Sequence, residues 1–240
     1  MMIYSAELAH KMERKQGTSM MPANAADLLG AGPALLREHH DHEHELVANF
    51  IRARFAVSYG ASLTHLMPRL FTVSGRMCIP QRQPHQEEGR DRGEIDLIGA
   101  FGLREAACAT LFMEQYLDRP VDQVIAAHVG RPVARKHIME VGNLVADPGG
   151  ARRVIASLTH YLYHGGYEWV VFTGVASLRA AFARLGLSPF LLAPANPDRL
   201  DESERLSWGR YFAARPQVMG GDVRAGYRIL CCGDSAEQCA

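Results

Sequence analysis

A glycine-rich turn joins a predicted strand to a predicted helix in the middle of the chain. The turn is DPGG at residues 147–150; it follows the apolar run IMEVGNLVA and precedes Arg152 and Arg153. The first amides of a helix are unpaired and lie at the positive end of the helix dipole, so they form an anion site. Two arginines there are electrostatically unfavourable unless an anion is near. The segment therefore fits a phosphate or pyrophosphate site, and it fits equally well a tight turn with solvated arginines.

Two polar residues, Glu140 and Asn143, stand in the apolar run before this turn. A carboxylate on a central strand is expected to be half-buried, and burial raises its pKa towards the range of a general base at neutral pH. A salt bridge from Glu140 to an arginine at the edge of the core is the structural alternative. Asn143 lies on the face opposite to Glu140 if the strand is unbroken, and a bulge near Gly142 would change that.

Histidine and acidic residues alternate in the run HHDHEHE, which begins at His39. His40 and His44 would share one face of a helix, as many metal-binding histidines do, but the motif HExxH is absent. The run precedes an apolar stripe, a place where polar residues usually face water. We therefore predict no metal site here, and we predict that His65 is a hydrogen-bonded histidine at the edge of the core.

Four further side chains have both a structural and a functional interpretation. Trp208 and Tyr211 are spaced i, i+3 and are predicted to pack in the core rather than to form a stacking platform. Arg179 and Arg184 could reach a phosphate, but solvated charges on a helix are the commoner case.

The turn and its flanking residues need a strand–helix–strand unit to hold them. Residues 136–146 have the composition of a strand, residues 150–166 form an amphipathic helix closed by two glycines, and residues 167–175 form an apolar strand. Elements of these lengths imply two neighbouring parallel strands joined by a right-handed crossover.

The rest of the chain supplies the other elements of a mixed α/β (α+β) fold. Residues 35–60 are predicted to be one helix, and residues 76–93 a polar, exposed hairpin loop. Other strands are predicted at 65–75, 94–106, 188–195 and 217–226, and helices at 110–118, 177–186 and 201–216, with 123–129 ambiguous. We expect a central mixed sheet in which antiparallel strands precede the parallel pair, with helices on its faces.

Composition and charge argue against several classes of protein. The chain has 240 residues and is 48% hydrophobic, and its 26 basic and 26 acidic residues leave no basic excess for nucleic acid. The five cysteines are odd in number and crowd towards the C-terminus, which favours a reduced cytoplasm over a disulfide framework. The N-terminus has no apolar signal segment, and no window approaches the about 20 apolar residues of a membrane helix.

We predict a single folded domain over residues 34–230, because no linker composition interrupts residues 35–230. Residues 1–33, rich in Met, Ala, Gly and Pro, are predicted to be a flexible arm. Residues 231–240 are predicted to be a flexible tail that contains cysteines.

Several blocks of the chain resemble the thermostable haemolysin family. They are EVGNLVADPGGARRVIASLTHYLYHGGYEWVVFTGVASLRAAFARLGLSP, with LFMEQYLDRPV upstream, SWGRYF downstream, and FIRARFAVSYGASLTHLMPRLF near the front. Together they cover about residues 43–224 in the family's order. This family is similar in fold to the GNAT superfamily of N-acyltransferases and to acyl-homoserine-lactone synthases. The resemblance therefore implies a GNAT-like central mixed sheet with a splayed parallel strand pair.

The resemblance also implies a donor site. In such folds the strand before the turn pairs with the pantetheine arm of an acyl thioester, and the next helix N-terminus binds coenzyme A pyrophosphate or receives an acyl-carrier protein. The usual GNAT turn is Arg/Gln-x-x-Gly-x-Gly/Ala, whereas the arginines here follow the glycines, which favours a carrier protein's phosphopantetheine over free coenzyme A. By this resemblance the donor would contact Val145, Gly149, Gly150, Ala151, Arg152 and Arg153.

The implied activity is N-acyl transfer from acyl-CoA or an acyl-carrier protein to a small amine, in secondary-metabolite or signal biosynthesis, with no tightly bound cofactor and no metal. Glu140 would be the base, and Asn143 would orient the substrate or the carbonyl. Many GNATs protonate the thiolate with a tyrosine from the following helix, where this chain has Phe182. The alternatives are a membrane-active haemolysin and a non-catalytic GNAT-like protein that binds an acyl thioester or a partner.

Overall fold

Seven strands form one mixed sheet in the computed structural model, which describes residues 34–76 and 95–232. The strand order is β1-β2-β3-β4-β5-β7-β6, and within these residues β4 and β5 are the one parallel pair. The predicted mixed sheet is confirmed. The strands are β1 (Leu35–His39), β2 (Arg69–Arg76), β3 (Ile95–Glu105), β4 (Ile138–Ala146), β5 (Trp169–Gly174), β6 (Phe190–Pro194) and β7 (Gln217–Asp222).

Helices cover both faces of the sheet. The α-helices in the described residues are α1 (Asp41–Tyr59), α2 (Val121–Val129), α3 (Ala151–His164), α4 (Ala176–Arg184), α5 (Glu202–Ser207) and α6 (Val223–Tyr227). The shorter helical turns are Phe112–Tyr116, Arg135–His137, Pro197–Arg199, Tyr211–Ala214 and Arg228–Cys232. The ambiguous segment 123–129 is thus helical, as part of α2.

The parallel pair is the predicted one, and its pairing is short. β4 and β5 pair from Ile138 opposite Trp169 to Val141 opposite Phe172. Beyond Val141, β4 continues to Ala146 paired with β3, whereas β5 continues with β7 on its other side. The two strands therefore part after Val141, which leaves an opening between them.

A bulge lies in β4 at the same level. Between the pairs Gly102–Gly142 and Ala100–Val145, β4 spans one more residue than β3. Asn143 has a φ of 54°, in the left-handed region that asparagine tolerates better than most residues. The bulge that would change the direction of Asn143 is therefore present, because the extra residue breaks the alternation of faces along the strand.

The residues of β4 before the bulge alternate between two packed layers. Met139 and Val141 are buried in the cluster that includes α3, while Ile138 is buried on the other face with the Phe112–Tyr116 turn and α2. By this alternation Glu140 faces the same side as Ile138. The opposite face of β4 is closed by α3, whose buried stripe includes Val154 and Leu158.

The predicted helix at 35–60 begins later than expected. Residues 35–39 form β1, which pairs antiparallel with β2 from Leu35 opposite Ser74 to His39 opposite Leu70. The helix α1 starts only at Asp41. Pairing with a strand distant in sequence outweighs the local helical pattern here, and no local periodicity signals it.

Three other sequence predictions differ from the structure near the C-terminus. The segment 201–216 forms two short helices separated by Gly209, which has a φ of 55° and approaches the backbone of Tyr59 too closely for a side chain. The last strand ends at Asp222, whose carboxylate caps α6 by accepting a hydrogen bond from the Ala225 amide at 2.8 Å. Cys231 packs against the core instead of beginning a tail. The predicted arm at 1–33, nearly all of the loop at 76–93, and residues 233–240 lie outside the described residues.

Candidate active site

A cavity of about 450 Å³ opens where β4 and β5 part. Its floor is β4 from Glu140 to Ala146, and its walls come from α1, α3, α4 and the segments around Met67 and Trp208. The apolar side, against α3 and α4, is formed by Leu158, Leu162, Val170, Phe172, Ala181 and Phe182. The opposite side is aromatic and polar, with Tyr59, His65, Arg104, Phe112, Tyr116, Trp208 and Tyr211.

Glu140 lies at one end of this cavity with 2% of its surface exposed. Its two carboxylate oxygens accept hydrogen bonds from the amides of Phe112 and Met113, at 2.9 and 2.8 Å. Burial raises the pKa of Glu140 to about 7, although these two hydrogen bonds and the charge of Arg104 oppose the rise. A carboxyl group with this pKa can accept and release a proton at neutral pH.

The salt bridge proposed as the structural role of Glu140 is not what the structure shows. No arginine or lysine of the described residues pairs with its carboxylate, which instead accepts the first amides of the Phe112–Tyr116 turn. Glu140 thus has a structural role of a different kind, as an acceptor for this turn, and it remains adjacent to the cavity.

The Phe112–Tyr116 turn, whose first amides donate to Glu140, is held in place by a second acidic residue. Glu114 accepts hydrogen bonds from the amides of Leu111 and Val121 and from both terminal nitrogens of the Arg135 guanidinium, at 2.6 and 3.0 Å. Such forked contacts restrict geometry as well as contributing energy. The position of the two amides on Glu140 is therefore set by Glu114 and Arg135.

Asn143 is 8% exposed and lines the cavity next to the bulge. Its side-chain oxygen accepts a hydrogen bond from the Met67 amide at 2.8 Å. The side chain of Met67 occupies the space over Gly142, where a Cβ atom would overlap it. Asn143 therefore fixes the segment before β2 across the opening. No acceptor in the described part of the chain bonds its side-chain amide nitrogen, whose donors can bind a ligand.

The glycine turn divides into an exposed and a buried half. Gly149 is exposed with a φ of 84°, and a Cβ atom there would meet nothing within 4 Å. Gly150 is buried, and a Cβ atom would lie 2.6 Å from Cγ2 of Ile98. The Gly150 amide donates to the Asp147 carbonyl at 2.8 Å, so this amide is used within the turn. Glycine is required at position 150 because the backbone there lies close to Ile98 of the sheet.

The first helical amides are better placed to receive an anion. Among the described residues, no backbone carbonyl accepts the amides of Ala151 and Arg152, and Ala151 lines the cavity. Arg152 is exposed, while the guanidinium of Arg153 lies over Gly75 of β2. Asp147 at the end of β4 forms an ion pair with Arg54 of α1.

Four of the eight predicted site residues line one cavity. They are Glu140, Asn143, Val145 and Ala151. The other four, Gly149, Gly150, Arg152 and Arg153, stand beside its end at the N-terminus of α3. Along β4, at about 3.3 Å per residue, the two ends of the cavity are separated by about 20 Å.

The residues that sequence reasoning missed come from other elements. Arg104 of β3 lies opposite Glu140 in the β3–β4 register and lines the cavity. Tyr211 lines it too, and its hydroxyl donates to the carbonyl of Thr173 at 3.3 Å; burial raises the pKa of this tyrosine. A signal for Arg104 was present in the sequence, because it is a charged residue inside the apolar run IDLIGAFGLRE.

Other predictions about side chains had mixed outcomes. Trp208 and Tyr211 do pack together, with ring centroids 5.0 Å apart, and they also line the cavity. His65 is exposed and lines the cavity, so the prediction of a hydrogen-bonded core-edge histidine is wrong. Arg179 donates to the carbonyl of Gly174 at 3.0 Å, and Arg184 is exposed at the rim. Phe182 is buried against Phe172, with no hydroxyl at that position.

The histidine run is split between two environments. His39 ends β1 and is buried, with its Nε2 atom 2.8 Å from the Thr72 hydroxyl, whereas His40 is exposed before α1. No group of three or more possible metal ligands exists among the residues described. Likewise, none of the helices in residues 34–76 and 95–232 combines the length and the hydropathy that crossing a bilayer requires.

The chain belongs to the thermostable hemolysin family, whose model matches residues 37–227. In fold it is similar to the crystal structure of TofI in an apo form, at 14% identity and a TM-score of 0.50, covering 83% of this chain and 95% of that chain. It also matches the acyl-homoserine-lactone synthase LasI (11% identity, TM-score 0.49, 90% and 96% covered). FeeM, an N-acyl amino acid synthase from uncultured soil microbes, matches at 13% identity and a TM-score of 0.49, with 80% and 92% covered. Comparison with curated proteins finds no match.

The family and the fold class predicted from the sequence are therefore confirmed. The fold is a GNAT-like mixed sheet whose one parallel pair, within the described residues, parts at the cavity. Fold alone does not fix the reaction, which has to be argued from the residues of the site.

Proposed function

We propose that this protein transfers an acyl group from a thioester donor to the nitrogen of a small amine. The observation that carries the proposal is the buried carboxylate of Glu140, with a pKa of about 7, at the end of a cavity between two parting strands. A donor that lies along β4 in this cavity would bring its thioester to the carboxylate, and enclosure by the cavity walls would limit hydrolysis of the thioester.

The free side of β4 supports a thioester donor. From Gly142 to Ala146, no strand among the described residues pairs with β4 on the side of β5. Unpaired backbone groups of a strand need partners, and a pantetheine arm carries two amide groups that can supply them. The phosphate groups of the donor would then lie near Ala151 and Arg152, at the N-terminus of α3.

In this proposal Glu140 is the general base that removes a proton from the acceptor amine. An ammonium group must lose one proton before its nitrogen can attack, and the Glu140 carboxylate accepts it directly or through one water. The nitrogen then bonds to the acyl carbon, the carbon–sulfur bond breaks, and the second proton lost by nitrogen balances the thiolate. The products are an N-acyl amide and a free thiol, with no metal or bound cofactor in the step.

The proposal leaves two donors open, acyl-coenzyme A and an acyl-carrier protein. Both carry the same phosphopantetheine arm, so the geometry of the cavity does not distinguish them. Both are consistent with the cytoplasmic location expected from the cysteine content.

The decisive experiment is an acyl-transfer assay read by mass spectrometry. The purified protein is incubated with acyl-coenzyme A and acyl-carrier protein panels of increasing chain length and with a mixture of small amines, and N-acyl products and free thiol are quantified together. We expect equal amounts of amide and thiol, in a reaction that the Glu140→Gln variant slows. A Glu204→Gln variant is the matched control, because Glu204 also has a raised pKa but does not line the cavity.

Two results would contradict the proposal. Saturable binding of acyl thioesters with no amide product for any amine would indicate a non-catalytic thioester-binding protein. Lysis of red cells by detergent-free protein, with the same dose dependence in Glu140→Gln, would indicate the membrane-active alternative.

A further inference from the structure

Arg104 lines the same cavity as Glu140, and no acidic side chain of residues 34–76 and 95–232 pairs with its guanidinium. Arg104 lies directly opposite Glu140 on the neighbouring antiparallel strand, so the two side chains project from the same face of the sheet. Yet neither a hydrogen bond nor an ion pair joins Arg104 to any residue in the described part of the chain. Its charge acts on Glu140 only at a distance, by lowering the pKa of that carboxyl group.

Burying an arginine side chain in this position costs free energy unless an anion accepts its hydrogen bonds. Arg104 is half-buried, and a guanidinium carries five N–H donors that burial removes from water. The nearest acid on the opposite strand does not supply acceptors, because both oxygens of Glu140 face the amides of Phe112 and Met113. The donors of Arg104 are therefore available for a ligand.

The charge of the whole cavity also favours an anionic group. Among the described residues that line it, Arg54, Arg104 and Arg184 are basic, and Glu140 is the only acid. The charge of Arg54 is neutralised by Asp147. The two positive charges of Arg104 and Arg184 then outnumber the one negative charge that Glu140 can carry. An acceptor that carried only positive charge would meet a net positive wall.

The phosphates of the thioester donor are too far away to be this anion. Their expected site is the N-terminus of α3, and β4 continues for six residues beyond Glu140 to its end at Ala146, or about 20 Å. Arg104 lies at the Glu140 end, where the acceptor nitrogen has to be.

We propose that Arg104 binds the carboxylate of the acceptor, and that the acceptor is an α-amino acid whose ammonium group faces Glu140. This inference rests on the proposed acyl transfer. Opposed residues on antiparallel strands have Cβ atoms about 5 Å apart, which suits a ligand whose ammonium and carboxylate are attached to one carbon. The product is then an N-acyl amino acid, and the atoms that react are unchanged.

The surrounding wall indicates an apolar or aromatic side chain on the acceptor. Tyr59, Tyr116 and Trp208 line the cavity on the side of Arg104 and Glu140. Flat rings of this kind pack well against another ring. Phenylalanine is therefore the first probe to use.

The test compares L-phenylalanine with 2-phenylethylamine, which differs from it only by the missing carboxylate. Binding is measured by isothermal titration calorimetry in the presence of S-octyl coenzyme A, a thioether that cannot transfer its chain, and turnover is measured with octanoyl-coenzyme A. We expect the wild type to bind phenylalanine more tightly than the amine by about 10- to 100-fold, the range of a charge-assisted contact. Arg104→Gln should remove that difference by weakening the binding of phenylalanine, whereas binding of the amine should not weaken. Arg119→Gln, an exposed arginine outside the cavity, is the control.

The outcomes separate this inference from the proposed function. Carboxylate-dependent binding that Arg104→Gln abolishes supports the inference even if no acyl transfer is seen, in which case the proposed function fails. Equal binding of the two probes, or a preference for phenylalanine that survives in Arg104→Gln, overturns the inference. Acylation of phenylethylamine at the rate of phenylalanine overturns it too, while the proposed function stands.

Discussion

Glu140 accepts two backbone hydrogen bonds while 2% of its surface is exposed, so one side chain is both a structural acceptor and the candidate base. Glutamine at this position has a single carbonyl oxygen and turns an NH2 group towards one of the two amides. A buried amide left without an acceptor costs about 1–3 kcal/mol. The variant therefore changes stability as well as chemistry, and both have to be measured.

We expect Glu140→Gln to lower turnover by about 10²–10⁴-fold at saturating donor, because it removes the proton acceptor. The wild-type rate should rise with pH around a midpoint of about 7, the raised pKa of the Glu140 carboxyl, and the variant should lack this rise. A pH–rate profile measured at temperatures where circular dichroism shows both proteins folded is the readout. A folded variant that retains the wild-type profile would place the base elsewhere.

At the level of elements, the first amides of α3 have no backbone acceptor among the described residues and can bind an anion. The two glycines just before the helix are not equivalent. Gly150 packs against Ile98 of β3, and Gly149 is open to solvent. A bulky residue at position 150 therefore tests the folding of the turn more than donor binding. Ala151, which lines the cavity, is the better position at which to test the donor site.

We expect Ala151→Glu to weaken binding of acyl-coenzyme A by at least about tenfold, because a carboxylate would stand where the donor phosphates are expected. Folding should be kept, since an acidic residue in the first turn of a helix is favourable. Binding of an acyl-N-acetylcysteamine thioester, which has no phosphate, serves as the internal comparison, and Ala151→Gln is the uncharged control. Equal losses for both donors would argue against a phosphate site at α3.

A second prediction at this scale concerns the glycine turn at residues 147–150, before α3. Gly150→Ala brings a Cβ atom 2.6 Å from Ile98, so we expect the free energy of unfolding to fall by about 1–3 kcal/mol through overpacking. Gly149→Ala meets no atom within 4 Å and suffers only the strain of its positive φ, about 1–2 kcal/mol. Urea unfolding of both variants gives the comparison. A larger loss for Gly149→Ala would mean that Gly150 is not confined by the sheet.

At the level of the whole molecule, two buried groups, His39 on the edge strand β1 and Glu140 on the central strand β4, respond to pH in opposite directions. Glu140 has a pKa raised from 4.5 to about 7, so the folded state holds its proton more tightly and stability falls as pH rises through this range. His39 has a pKa lowered from 6.5 to about 4, chiefly by burial, so stability falls as pH drops from about 6.5 to about 4. Each effect amounts to roughly 3 kcal/mol and they overlap.

We therefore expect the two contributions to offset one another in the wild type between about pH 4.5 and 6.5, and single variants to reveal each one. Relative to the wild type, Glu140→Gln should gain stability as pH rises across this window, and His39→Gln should lose it. Glutamine at position 39 can still bond the Thr72 hydroxyl but does not titrate. Urea unfolding at several pH values measures the slopes. Parallel slopes for the wild type and both variants would contradict the assignment.

The sequence by itself determined the elements whose pattern is local. The strand at 138–146, the helix at 151–164 and the strand at 169–174 follow from apolar periodicity and from the glycines at their ends, and the family resemblance extended them to the whole sheet. Glu140 was identifiable because a carboxylate inside an apolar strand is rare and costly to bury.

Tertiary structure decided whatever depends on residues distant in the chain. Residues 35–39 form a strand because β2 pairs with them, and Gly150 is confined because Ile98 packs against it. The partners of Glu140 are the amides of Phe112 and Met113, about 27 residues earlier, which no spacing rule connects to it. Arg104 meets Glu140 only through the register of β3 on β4. Strand register and long-range contacts are set by the sum of packing across the sheet, and a local pattern does not contain that sum.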